Sequence, residues 1–426
     1  MLNNILDRSQ APALRDFVAF DIQAPIAHTL AEVPVFVLEA GEQEVMRIDL
    51  SFAAGSWQEN KALVSSLTNR MLQEGTQQRS GKAVADFFDF YGAHLQYDAN
   101  ADRSSVSLYC LSKHIALLLP VLFELVFEPA FPEQELQTTL MNSRQQLLVE
   151  QEKVVFLARR AFNAALFGEN HPYGRSSSDE AYAAIIREDL VAFHRNFYTR
   201  DRLSITLCGK HTALALPQLE KLLAHIPTNV VSPKKAVFTA ANPSGRIHIP
   251  KADAVQFGLR LGKRIIGKNH PDYHGLKILN TIFGGYFGSR LMSNIREDKG
   301  FTYGIGSAVV SYANDAVFTI ATEVGKDVAE AALTEIRFEM DKIRRELIPQ
   351  SELDKVRSYL QGVYMSSFDG PFSLIDRFLD VYHFGLDYSY YHNHLKTVQT
   401  ITPEALQALA ITYFDPESLV TVVAGS

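Results

Sequence analysis

The stretch Leu190–Gly209, LVAFHRNFYTRDRLSITLCG, has a counterpart at Leu406–Gly425, LQALAITYFDPESLVTVVAG, displaced by 216 residues (406 − 190). Leu203 and Leu419 share that displacement. Working outward, Phe167-Gly168 faces Phe384-Gly385, and Pro132-Glu-Gln-Glu-Leu136 faces Pro349-Gln-Ser-Glu-Leu353, both at an offset of 217. Several anchors within one residue of a common offset mean that the chain is two copies of one unit.

Each copy carries the same order of patterns. Alternating, β-rich stretches at Met46–Phe52 and Val255–Leu261 are followed by helix-period sequence. Strands at Ser104–Cys110 and Ala316–Thr322 then precede amphipathic helices at Ile115–Leu125 and Val328–Ile343. Longer helical stretches, Leu136–Phe167 and Ser351–Phe384, lead to the closing apolar strands Leu203–Cys208 and Leu419–Ala424. Strands and helices mixed in this way predict one sheet with helices packed against it in each copy, an α+β architecture. The Pro- and Lys-containing stretch Ile226–Ser244 reads as the connection. It sets expected domains at 1–228 and 245–426 with a linker at 229–244.

Composition narrows the function. The chain has 426 residues, 47% of them hydrophobic, and a formal net charge of −7, so it lacks the basic field of a nucleic-acid binder. Two cysteines, Cys110 and Cys208, make no disulfide framework and sit in no CxxC or CxxH pair. The first twenty residues mix acidic and basic side chains where a signal peptide needs an apolar run. The most apolar stretch, Ile115–Phe131, is interrupted by Pro120, Glu124, Glu128 and Pro129. A cytoplasmic protein with no membrane and no nucleic-acid partner is expected.

Asn280–Tyr303, NTIFGGYFGSRLMSNIREDKGFTY, resembles the second-domain motif of the pitrilysin/insulinase (M16) family of zinc peptidases, with Gly-Gly, Ser-Arg-Leu and Arg-Glu-x-x-Gly-x-x-Tyr in order. The first copy is similar to that family's first domain at Glu74-Gly75-Thr76, Tyr91-Gly92, Phe167-Gly168, His171-Pro172-Tyr173-Gly174 and Phe197-Tyr198. The resemblance implies two homologous domains, each a mixed, mainly antiparallel sheet packed against helices. It also implies His-x-x-Glu-His before the Gly-Thr, two imidazoles for zinc and a glutamate that polarises water. Here that place reads Ser66-Leu67-Thr68-Asn69-Arg70. Ser66 and Arg70 stand for the imidazoles and Asn69 for the base, and the third ligand, roughly seventy-five residues on, would fall at Gln145–Leu147 with no acid. No metal is therefore expected in this chain.

The second-domain elements are intact. By resemblance, Arg296 and Tyr303 would hold a peptide backbone and stabilise an oxyanion at zinc in a homologous partner subunit carrying His-x-x-Glu-His. Guanidinium and phenol suit that task as a planar fork and a single donor to charged oxygen. Ser289–Asp298 reads as a short helix stopped at Gly300 and Phe301–Ser307 as a strand, so the pair would flank one turn. Gly284, Gly285 and Ser289 complete the expected substrate-binding set. With no Gly-Lys-Ser/Thr, the glycines favour a tight turn over a phosphate loop. His270 and His274, at i and i+4, lack a third ligand and read as a polar helix start. The expected function is that of a zinc-free subunit of a two-chain peptidase acting on short or unfolded peptides. The alternative is an inert binding or assembly subunit of the same fold.

Overall fold

The computed structural model describes residues 21–229 and 243–426. Most of the expected linker, 230–242, lies outside the described residues. The first half builds a six-stranded sheet from β1 (Ile26–Leu30), β2 (Val33–Glu39), β3 (Val45–Phe52), β4 (His94–Ala99), β5 (Ser104–Leu111) and β6 (Leu203–Gly209), in the order β1-β2-β6-β3-β5-β4. The second half builds five strands, β7 (Gly245–Ile249), β8 (Gln256–Arg264), β9 (Ile305–Ser311), β10 (Ala316–Gly325) and β11 (Val420–Ala424), in the order β7-β11-β8-β10-β9. Each sheet is antiparallel except for one parallel pair, β2 with β6 and β7 with β11. The two topologies superpose once β1 is set aside, which is the repeat expressed in three dimensions.

Alternation explains the central strands. In β3, Met46, Ile48, Leu50 and Phe52 are buried with Leu118, Leu122 and Leu125 of the helix Ile115–Phe127. In β10, Phe318 and Ile320 join Leu333, Ile336 and Met340 of the helix Ala329–Arg345 in the same way. Each fully buried side chain of this size contributes about 1.5–3 kcal/mol.

Each long helical stretch breaks in two. Glu133–Gln151 is followed after Lys153 by Val154–Phe167, and Gln350–Ser366 is followed after Gly370 by Pro371–Tyr382, whose leading proline suits a first helical turn. The break lets the later helix of each pair leave its own half. Val154, Ala158, Phe162 and Leu166 pack on Val317, Val420, Val422 and Ala424 of the second sheet. Ile375 packs on Leu38 and Cys208 of the first, with the Phe378 and Tyr382 rings 4.7 and 4.6 Å from Phe36. The halves thus exchange equivalent helices, and each sheet has its second face covered by the other's helix. Polar contacts join them too, as Arg47 pairs with Asp49 and, across the halves, with Asp376, each at 2.7 Å. Both cysteines are buried and free.

Candidate functional site

The helix Val64–Met71 carries Ser66, Asn69 and Arg70. Its first turn has no side-chain cap of the usual kind. The Glu59 carboxylate accepts instead from the Ser65 amide at 3.0 Å, while Arg175 pairs with it at 2.8 Å. Burial pushes the Glu59 carboxyl above its ordinary range, against the pull of that amide and of Arg175. A cavity of about 170 Å³ lies beside it, lined by Leu63, Ser65, Ser66 and Asn100 among others.

Ser66 is exposed, and its hydroxyl donates to the Leu63 carbonyl at 3.1 Å. Asn69 is 1% exposed; its amide donates to the Asp98 and Ser105 carbonyls at 2.9 and 3.2 Å. Arg70 donates to Ser143 at 3.1 Å on the helix Glu133–Gln151. One turn further along that helix stand exposed Gln145 and Gln146 and buried Leu147. Arg70 thus ties its helix to the one that carries 145–147, and the chemistry at the metal-site positions does not fit zinc: a hydroxyl, a spent carboxamide and a guanidinium offer no tetrahedral donor set. Among the described residues, no group of three His, Cys, Asp or Glu could hold a metal ion.

The Arg296 region is built differently from the sequence reading. The expected helix is mostly π-helical, Met292–Asp298, and a second π segment, Thr281–Gly285, precedes it. Single turns of this kind recur at functional sites. The strand expected at Phe301–Ser307 begins only at Ile305, so Tyr303 sits in the loop before β9. The reason is local: Thr302 turns its hydroxyl to the Glu323 carbonyl at 2.6 Å and to the Gly304 carbonyl at 3.0 Å, which competes with ladder pairing. Gly300, at φ +66°, closes the π turn.

Around it the segment is pinned. Arg290 grips Glu352 through two bonds of 2.9 and 2.8 Å, Asn294 donates to Glu335 and Glu339 at 3.1 and 2.7 Å, and Lys299 pairs with Glu335 at 2.9 Å. Ile295 and Leu291 are buried beneath. Arg296 differs from its neighbours. It forms no ion pair among the described residues and lies with Cζ 4.7 Å from the centre of the Phe287 ring. Tyr303 is 94% exposed. A guanidinium with no ion pair among the described residues, on the pinned segment, and a protruding phenol in the loop beyond it can each offer hydrogen bonds to an oxygen-rich ligand.

The other expected binding residues divide. Gly285 is exposed, whereas Gly284 and Ser289 are buried. A Cβ at Gly284 would lie 2.5 Å from the Ser307 hydroxyl and 2.9 Å from its amide, so this glycine lets the π turn close onto β9. Ser289 is fully buried, and its amide donates to the Tyr286 carbonyl at 3.1 Å, which helps close the loop. Sequence reading missed Phe287; an aromatic between Gly285 and Gly288 was the signal for it.

Residues 35–176 match the family model for insulinase (peptidase family M16), and residues 184–360 match the model for the peptidase M16 inactive domain. An uncharacterized zinc protease of Bacillus subtilis is 23% identical over 318 residues, 74% of this chain and 76% of that protein. A non-peptidase homolog of Helicobacter pylori is 24% identical over 345 residues, 78% of each. Among solved structures, a peptidase M16 inactive domain from Pseudomonas fluorescens superposes with a TM-score of 0.85 at 27% identity, covering 94% of this chain and 98% of that one.

Proposed function

The chain belongs to the insulinase (M16) peptidase family and lacks its catalytic motif, and from that premise we propose that it is the zinc-free subunit of a two-chain peptidase. Its partner would be a homologous subunit carrying His-x-x-Glu-His, and its substrates short or unfolded peptides. The observation that carries this reading is an asymmetry. Ser66, Asn69 and Arg70 are committed to contacts within their own half, while Arg296, on a pinned segment, and Tyr303, in the loop beyond it, have no ion pair among the described residues.

In the complex, the partner's zinc would polarise the scissile carbonyl and its water. Arg296 would hold carbonyl or carboxylate oxygens of the bound peptide through its planar fork. Tyr303 would donate its hydroxyl proton to the oxygen on which charge develops, a bond worth most as that charge forms. The Phe287 stack and the Arg290–Glu352 clamp restrict the motion of the segment, which lowers the ordering cost at binding.

The second reading, an inert assembly subunit, draws support from the Helicobacter pylori relative named a non-peptidase homolog. Mixing experiments separate the two. The chain should show no peptidase activity alone, and adding it to the His-x-x-Glu-His subunit should raise zinc-dependent hydrolysis of an unstructured peptide. Full activity of the partner by itself would remove the catalytic role.

A further inference from the structure

Tyr286–Gly288 forms a short loop between the two π-helical segments. Tyr286 has extended backbone (φ −151°, ψ 173°), so its side chain and that of Phe287 leave on opposite sides. Tyr286 turns inward, its ring 4.8 Å from Tyr359 and against Gly288, where a Cβ would meet it at 2.9 Å. That anchor leaves Phe287 facing out, 63% exposed, with the Arg296 guanidinium stacked upon it.

An exposed aromatic ring is ordinary by itself. This one adjoins a cation that has no carboxylate partner among the described residues. An oxygen hydrogen-bonded to Arg296 would lie roughly 6–8 Å from the ring centre, given a bond of about 2.9 Å from a guanidinium nitrogen. Consecutive Cα atoms are about 3.8 Å apart, so a side chain on the same peptide residue or its neighbour reaches the ring.

We infer that Phe287 forms a specificity subsite that takes a large apolar side chain of the peptide held by Arg296. The inference rests on the peptide-holding role proposed above. The ring contributes contact area at low entropic cost, and the guanidinium beside it fixes the peptide's register. An alternative role for Phe287, that of merely steadying Arg296, makes a different prediction: its loss would weaken all peptides alike.

The test is fluorescence anisotropy of the intact chain with two labelled nonapeptides of Gly and Ser, one with a central Phe and the other with Ala. The Phe peptide should bind about tenfold tighter, a fraction of the value of burying such a side chain. Phe287→Ala should cut that ratio below about twofold, and Phe287→Leu should keep part of it. The ratio is the readout, since a loosened Arg296 lowers both affinities together. Arg296→Ala should weaken both peptides and preserve much of the ratio. No preference in the parent chain, or a tenfold preference that survives Phe287→Ala, overturns the subsite while leaving peptide binding intact. Failure of either peptide to bind the parent at ~1 mM, the weak limit of useful affinity, removes the peptide-holding reading itself.

Discussion

The Tyr198 hydroxyl donates to the Asn69 carboxamide oxygen at 3.1 Å, and this contact fixes which way the amide points. The nitrogen end is then aimed at the Asp98 and Ser105 carbonyls, paired residues of β4 and β5. The second half uses the same device, with the Asn280 amide donating to the Ser307 carbonyl at 3.2 Å and its oxygen accepting from the Ser307 hydroxyl at 2.8 Å. At Asn69, where the family motif places a base, the first half has an asparagine pinning a helix to an edge strand. Its structural role excludes the catalytic one.

Asn69→Asp tests that role with almost no change of shape. A buried carboxylate facing two carbonyl oxygens lacks their donors, and the loss should reach about 2–4 kcal/mol. A fall of about 4 °C or more in apparent melting temperature is expected. A melting temperature within about 1 °C of the parent would contradict it.

Protein purified without chelator should carry no stoichiometric zinc after dialysis, measured by elemental mass spectrometry. The combined Ser66→His, Asn69→Glu and Arg70→His should remain zinc-free as well. It still lacks a carboxylate at Gln145–Leu147 and the surrounding hydrogen bonds that orient ligands, and it gives up the Asn69 tie. About one zinc per chain in the parent would overturn this account of the site.

His194 supplies a pH dependence. Its Nε2 lies 2.8 Å from the Val126 carbonyl and its ring stacks on Tyr198 at 4.9 Å; burial pushes its pKa from 6.5 down to about 4. The folded state thus holds it neutral while the unfolded chain takes up a proton. Its contribution is fully present above pH 6.5 and is lost as pH falls from there toward 4, up to about 3 kcal/mol in all. Between pH 7 and pH 5 the parent should lose roughly 2 kcal/mol more than His194→Gln in denaturant unfolding. Equal losses in the two proteins would contradict the assignment.

Much of the fold was legible because the repeat and the central strands carry strong patterns. Met46–Phe52 and Ser104–Cys110 alternate cleanly and extend by only a residue as β3 and β5. The edge strand β4, HLQYDA, also alternates, with Leu95, Tyr97 and Ala99 half-buried between exposed neighbours, but none of its residues is fully buried and six residues make a short signal; it was missed along with β1, β2 and β7. The helix exchange was invisible for another reason. Leu136–Phe167 reads as one long helical stretch, and nothing in its period says that Val154–Phe167 serves the other half's sheet. At the site, residue types told which positions were empty of ligands, while the π-helical turns and the Phe287 stack depend on tertiary packing that no local pattern encodes.

The most direct measurement is steady-state peptide hydrolysis by the reconstituted two-chain complex carrying Tyr303→Phe, with gel filtration confirming that assembly is unchanged. A lost donor to developing charge should lower kcat by roughly ten- to a thousandfold and leave KM nearly constant. Arg296→Ala should also raise KM, because its fork engages the substrate before reaction, and Arg296→Lys should recover little. Hydrolysis within about twofold of the parent in both Tyr303→Phe and Arg296→Ala, less than one lost hydrogen bond, would contradict the catalytic-partner account and leave the assembly subunit in its place.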